Sequence, residues 1–374
     1  MLRRFVSGLR GFPLHVHSRR FAAVVAACGV AAIVPATAGA AVTKNVYAGT
    51  PPDVNQIAGK YIPHAKQFSK LYQPDINAFF NQRTTINVGD SVSFKFRGFH
   101  TIDIPAKGGS DQPIIVPTTT IAAGFNDAAG TPFWFDGKAP VLTFNPALFA
   151  RSKGTTYNGS ARLESGLGGT KPFTVKFTKA GTYKFFCDVH TGMVGTVTVK
   201  PKGKTIPTAK QDLAASDVQA IADIKSAVKL PKAKLPANTV SVGESAPGGV
   251  ELFNMFPATL TVKAGTTVTF AMSKNSRETH TVTFGPPSYL KPLAKSFAAG
   301  PMITPIGTYP SDPVQPLTLT PTSHGNGFVN VGGLDQDPTT AQIHSSSTID
   351  FTTPGTYHYV CLIHPFMHGT IIVK

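Results

Sequence analysis

Acidic side chains are in short supply: 19 Asp plus Glu stand against 35 Lys plus Arg in 374 residues, a formal net charge of +16. The familiar enzyme signatures are missing too. The chain has no Gly-x-Ser-x-Gly nucleophile turn, no phosphate-binding loop and no zinc-protease helix motif, which excludes the chemistries those motifs mark. The basic residues are scattered, at Lys44, Lys60, Lys66, Lys70, Lys171, Lys176, Lys179 and Lys200 among others. They form no Arg-aromatic pattern of the kind that reads bases, so nucleic acid is excluded as a partner. What the charge leaves open is attraction to an acidic partner or an anionic surface, or a plain solubility bias. Cysteine is scarcer still, with only Cys28, Cys187 and Cys361.

The first of these lies in a segment read as an export signal over residues 1–40. Arg3, Arg4, Arg10, Arg19 and Arg20 precede an apolar run from Phe21 to Val34, which ends in the small residues Ala36-Thr37-Ala38-Gly39-Ala40. That order predicts cleavage after Ala40 and an exported protein, periplasmic or extracellular at the cell surface. Without the five arginines the charge is still about +11. Val25-Ala26-Ala27-Cys28 offers an alternative cut with a lipid anchor at Cys28, the one membrane attachment read from the chain.

The other two cysteines open the same short run. Cys187, His190, Met193 and Gly195 recur as Cys361, His364, Met367 and Gly369, and residues 173–200 align with 347–374 without a gap. A repeat on this scale means two copies of one domain. A soft thiolate, an imidazole and a thioether within seven residues make the donor set of a mononuclear blue-copper centre that lacks one further imidazole. Each half supplies a His upstream, at the end of an alternating stretch: residues 85–96 lead to His100, and 259–270 lead to His280. The alternation predicts two antiparallel strands in each stretch, turning at Gly89 or Gly265. Two thiols in an oxidising compartment ordinarily pair as one disulfide. Their identical placement in each repeat, beside the same His and Met, points instead to two separate uses.

Length and composition fit an all-β protein of two tandem sandwiches, over 41–200 and 237–374. Pro and Lys mark residues 201–236 as a linker. Within it Ser216 and Gln219 form a capping-box pattern, with Ile221, Ile224 and Val228 at helical spacing ahead of Lys225 and Lys229, so one short helix is expected to dock on or bridge the domains. Phe133, Trp134 and Phe135 are expected to fill a small core of their own in the first insertion. His64, His324, His344 and His358 have no paired ligand spacing and read as loop or surface residues.

Both halves resemble the cupredoxins, the plastocyanin, amicyanin and pseudoazurin family. The carriers of the resemblance are Gly355-Thr356-Tyr357-His358-Tyr359-Val360 and the run Cys361 to Gly369, with their counterparts in the first half. It covers the strands around each site and not the long Gly/Pro-rich insertions between the first His and the Cys. The resemblance implies Greek-key sandwiches and two type 1 copper ions, one held by His100, Cys187, His190 and Met193 and one by His280, Cys361, His364 and Met367. Two imidazoles and the thiolate would form a trigonal plane with a weak axial Met. It implies one-electron transfer with a redox partner protein rather than enzymatic turnover.

Departures from the family pattern matter. Val189 and Ile363 stand where many relatives have Pro, leaving a further backbone N–H near the sulfur and an expectation of high potentials. Thr191-Gly192 is slimmer than Pro365-Phe366, so Met193 is expected to sit farther from the metal or to move more, with a core methionine as the alternative. His368 is expected on the exposed rim. Copper storage, delivery or resistance would use the same ligands. A two-domain nitrite reductase or small laccase would need a His beside the Cys and His-x-His pairs, but Phe186, Asp188, Val360 and Leu362 flank the cysteines and residues 41–374 hold no His-x-His.

Overall fold

Val, Phe and Thr alternate through the periodic segments, and each such segment forms a strand with one apolar face. The computed structural model describes residues 40–167, 171–297, 303–340 and 343–374. The export signal expected over 1–40, Cys28 included, lies outside them apart from Ala40.

The first sandwich has two five-stranded sheets. One runs in the order Phe79–Phe80, Thr43–Ala48, Ser91–Phe96, Phe173–Phe177, Thr156–Tyr157; the other runs Leu163–Glu164, Asp103–Ile104, Gly181–Phe186, Val194–Lys200, Arg83–Asn87. Val46, Val92, Phe94, Phe173, Val175, Phe185 and Val197 fill the space between them. The second sandwich repeats the plan. One sheet is ordered Leu317–Leu319, Ser346–Phe351, Thr266–Met272, Thr239–Ala246, Val250–Phe256, and the other Thr259–Val262, His368–Val373, Gly355–Val360, His280–Phe284, Val329–Leu334. Its core holds Val240, Val268, Phe270, Phe284, Ile349, Phe351 and Tyr359. The fold is all-β, two β-sandwiches of one plan with one helix between them.

Three expectations need correction. The stretch 85–96 is not a hairpin: Arg83–Asn87 pairs in parallel with Val194–Lys200, whereas Ser91–Phe96 pairs with Thr43–Ala48 and Phe173–Phe177 in the facing sheet. Thr259–Val262 and Thr266–Met272 divide in the same way. Alternation shows that each strand has a buried face; it does not show whether two consecutive strands reach that core from the same side. Gly89 and Gly265 therefore turn an arch from one sheet to the other.

The linker helix is also longer than expected. It spans Ala209–Ala227, capped by Thr208 and Gln211 in a reciprocal box, so the Ser216 and Gln219 pair lies well inside it. Ser216 instead returns its hydroxyl to the Asp212 carbonyl, and Gln219 donates to the Phe79 carbonyl. Ala220 and Ile224 pack with Phe80 and Ile76, and Ala227 with Ala246, Val250 and Leu252. The helix thus bridges strands of both sandwiches.

Third, Phe133 and Phe135 have no private core. They stack with centroids 5.3 Å apart and meet Phe328 at 6.0 Å and Tyr309 at 5.6 Å, while the Trp134 indole donates to the Pro310 carbonyl at 2.7 Å. Leu290 and Phe297, from the helix Pro287–Phe297, complete this shared cluster. An insertion of a few tens of residues cannot close a core alone, so the two insertions close one together. Pro74–Ile76, from the first half, adds an edge strand to the second sandwich by pairing with Val250–Phe256. The described residues accordingly form one compact unit.

Candidate metal centres

Each candidate site is built at one end of a sandwich, where a strand and a turn deliver the soft donor. Gly181–Phe186 ends directly at Cys187, and the chain returns to Val194–Lys200 seven residues later. The turn is closed by the Cys187 N–H donating to the Met193 carbonyl (3.0 Å) and the Met193 N–H donating to the His190 carbonyl (2.9 Å). The second turn repeats both bonds, from Cys361 to Met367 (3.0 Å) and from Met367 to His364 (2.8 Å). Thr191-Gly192 and Pro365-Phe366 differ in bulk, yet the closing bonds are the same. Met193 and Met367 are both buried, in the same apolar clusters as their cysteines.

The donor atoms converge. His100 Nδ1 lies 3.7 Å and His190 Nδ1 3.5 Å from Cys187 Sγ, with 3.0 Å between the two nitrogens. In the second half His280 Nδ1 and His364 Nδ1 lie 3.8 Å and 3.9 Å from Cys361 Sγ, again 3.0 Å from each other. Triangles of this size surround a single ion when ligand bonds are about 2.0–2.3 Å long. Two imidazole nitrogens facing each other so closely cannot both present lone pairs, so a proton or a metal ion must lie between them. Both thiols are free and buried. Burial alone would raise Cys187, but His190 and His100 hold it well below the usual thiol range; His280 and His364 do the same for Cys361. Buried thiolates flanked by imidazoles suit a soft transition-metal ion.

Backbone N–H groups support each sulfur. Thr101 donates to Cys187 at 3.4 Å and Thr281 to Cys361 at 3.3 Å. The threonine hydroxyls in turn accept from the Asp188 N–H at 2.9 Å and the Leu362 N–H at 2.7 Å. A further donor reaches Cys361 from the His364 N–H at 3.3 Å, one residue beyond the Ile363 N–H expected. Glycine covers each upstream imidazole: a Cβ on Gly49 would lie 2.7 Å from His100 Nε2, and one on Gly243 would lie 3.2 Å from His280 Nε2, both at positive φ. His368 is exposed, as are His64, His344 and His358. His324 is half-buried between Asp127 and Asp312.

Glu278 was not visible as a functional residue in the sequence. Its Oε1 lies 3.2 Å from His190 Nε2 and its Oε2 3.9 Å from His364 Nε2, so one carboxylate faces the loop histidines of both sites. Burial works against its charge, but His190, His364 and His280 hold it down to about 2. His190 shows the converse: burial opposes its charge, while Glu278 and the Cys187 thiolate bring it up to about 10. Asymmetry in the repeat was the available signal, because Arg277-Glu278-Thr279-His280 stands where the first half has Arg97-Gly98-Phe99-His100.

A second cluster, Asp103, Glu164 and Asp188, is also buried. It has no imidazole or thiolate. Glu164 is pushed up from 4.5 to about 9 by burial, then by the charges of Asp188 and Asp103. Burial and Asp103 likewise push Asp188 to about 8. The folded protein therefore holds a proton on Glu164 that the unfolded chain releases above about pH 4.5. Between that pH and about 9 the native state binds more protons, so stability falls as pH rises and the loss is complete above the folded value. Melting temperature is expected to drop across this window. Glu164→Gln is expected to flatten the drop, and an equal slope in the variant would refute the assignment.

Comparison with known proteins bears on the first of the two centres. Residues 142–200 match the copper binding proteins of the plastocyanin/azurin family. The matched segment of this copper-binding family contains Cys187, His190 and Met193 and stops short of His100 and of the second copy. The chain is similar to amicyanin-alpha of Methylorubrum extorquens, with 36% identity over 53 residues, 14% of this chain and 44% of that protein. It thus spans less than half the length of this relative. Similar solved structures include oxidized plastocyanin from Dryopteris crassirhizoma, with 22% identity, 36% of this chain, 99% of that chain and a TM-score of 0.21. Amicyanin from Paracoccus versutus shows 19% identity, 38% of this chain, 86% of that chain and a TM-score of 0.21. A purple cupredoxin from Nitrosopumilus maritimus shows 16% identity, 36% of this chain, 98% of that chain and a TM-score of 0.19. Among the described residues no helix is long and apolar enough to cross a membrane.

Proposed function

We propose that this chain is an exported copper protein with two type 1 sites, one in each of the domains 41–200 and 237–374, and that it transfers single electrons. The observation that carries the reading is the paired triangle of one thiolate sulfur and two imidazole nitrogens, present twice in nearly the same dimensions. His100, Cys187 and His190 would hold one ion and His280, Cys361 and His364 the other, with Met193 and Met367 as axial neighbours. Copper supplies reversible one-electron chemistry when bound in such a set.

The protein's own part is to keep the donors fixed. The two closing hydrogen bonds of each turn and the threonine N–H to sulfur hold the thiolate in one place, and both cysteines are buried away from solvent. A rigid donor set changes little between oxidation states, which favours rapid exchange. Imidazole edges of His190 and His364 reach a cavity of about 1190 Å³ walled by Phe99, Phe253, Ile363 and Phe366. This is where a redox partner protein would approach; among the described residues the cavity wall carries no Lys or Arg, so attraction to an acidic partner would come from the chain's overall positive charge.

Voltammetry of the copper-loaded protein tests the reading. Two reversible one-electron waves are expected, together with slow loss of copper to a chelator. Absent waves with rapid copper loss would favour storage or delivery instead, and turnover of nitrite or a phenol would favour an enzyme.

A further inference from the structure

The two candidate centres are joined through one side chain. We propose that Glu278 couples them electronically, so that an electron passes between the sites along His190, Glu278 and His364; this rests on both centres holding copper as proposed above.

The loop histidines turn their Nδ1 atoms toward the cysteine sulfurs and their Nε2 atoms toward the same carboxylate. On the first side the contact is a hydrogen bond of 3.2 Å, and on the second a charge contact of 3.9 Å. A carboxylate that accepts from the far nitrogen of a ligating His fixes its tautomer and ring orientation and raises its basicity. Here one carboxylate stands 3.2 Å from the first ring and faces the second at 3.9 Å, whereas a metal-ligating His ordinarily has an outer partner of its own. The route is therefore ring, carboxylate and ring, interrupted by one through-space step.

Glu278 is itself held in place from both halves. Asn77, beside the added edge strand Pro74–Ile76, donates its side-chain N–H to Glu278 Oε1 at 2.6 Å. Arg277 Nη1 donates to the Asn77 carbonyl, and the Arg277 N–H donates to Glu251 at 2.7 Å. Ser276 Oγ accepts the Glu278 N–H at 3.2 Å. Across the same seam Thr191, from the first loop, donates to Asp337 of the second half at 2.9 Å. An interface built only for packing would not need a buried anion at the point where both loop histidines meet.

The exchange is balanced. One electron lost at one site is gained at the other, and the step moves no proton. Glu278 acts through the histidines, so it is a positioning residue.

Glu278→Gln and Glu278→Asp in the full, copper-loaded chain test the proposal. Gln keeps the size but turns one acceptor into a donor, while Asp keeps the charge and loses reach. After a substoichiometric reducing pulse, the concentration-independent exchange between sites is expected to slow about tenfold or more in both variants, the scale typical of lost outer partners. In the reduced, diamagnetic protein the His190 Nε2–H resonance is expected to be protected from solvent exchange and to lose that protection in Glu278→Gln. The first site's potential should rise more than the second's, following the shorter contact. Unchanged exchange and an unchanged ring N–H signal, with both blue bands present, would overturn the coupling. Failure of the wild-type protein to show blue bands would instead overturn the copper reading, so the two failures are separable. If one variant does not fold, the other still decides between these results.

Discussion

Cys187→Ala is expected to abolish one intense blue absorption band and about half of the bound copper, and Cys361→Ala to abolish the other band and the other half. The reason is local to each turn. Each thiolate is the one thiolate donor in its triangle, and its removal leaves two imidazoles and a weak axial thioether, a set too poor to retain copper and without the charge-transfer colour. The turns close through bonds within their own halves, such as the Cys361 N–H to the Met367 carbonyl at 3.0 Å, so losing one site should leave the other's donors in place. The double variant should be colourless. Loss of both bands on a single substitution would mean one shared centre, and retention of both would mean that the cysteines are not ligands.

Phe135→Ala is expected to destabilise the protein by about 3–5 kcal/mol, as for other fully buried aromatic truncations, and to lower the melting temperature by roughly five degrees. Phe135 is fully buried and contacts Phe133, Trp134 and Tyr309, so the cavity opens within a core shared by both halves. Calorimetry should show the wild-type transition splitting into two as the sandwiches lose their mutual support. A cost below about 1 kcal/mol, within the range of substitutions away from packed features, would show that the insertions do not hold the halves together.

The parts of the fold that were legible in the sequence are those governed by short-range rules. The two Cys-to-Gly runs, the lead-in strands and the upstream His100 and His280 could be read because the residues brought together at each candidate centre lie either within one turn or a few residues beyond a strongly alternating strand. The arch at Gly89 is not legible in the sequence, because alternation reports a buried face and not which sheet carries it. The linker helix began earlier than expected because the run Ala209–Ala215 has little apolar periodicity, and Thr208 with Gln211 sat outside the stretch that did. The shared core of Phe133, Phe135, Tyr309 and Phe328 was illegible for a different reason: it depends on two insertions meeting in space. The same limit hid Glu278. Its role comes from lying between two loops about 90 residues to either side, and only the break in the repeat, Glu278 against Gly98, pointed to it.

Copper titration into the metal-free protein, followed by visible absorption and metal analysis, decides whether the chain binds two ions. Two equivalents per chain, each bringing an intense thiolate band, is the expected result. Saturation at one equivalent, or thiol titration showing Cys187 and Cys361 oxidised to a single disulfide, would contradict it.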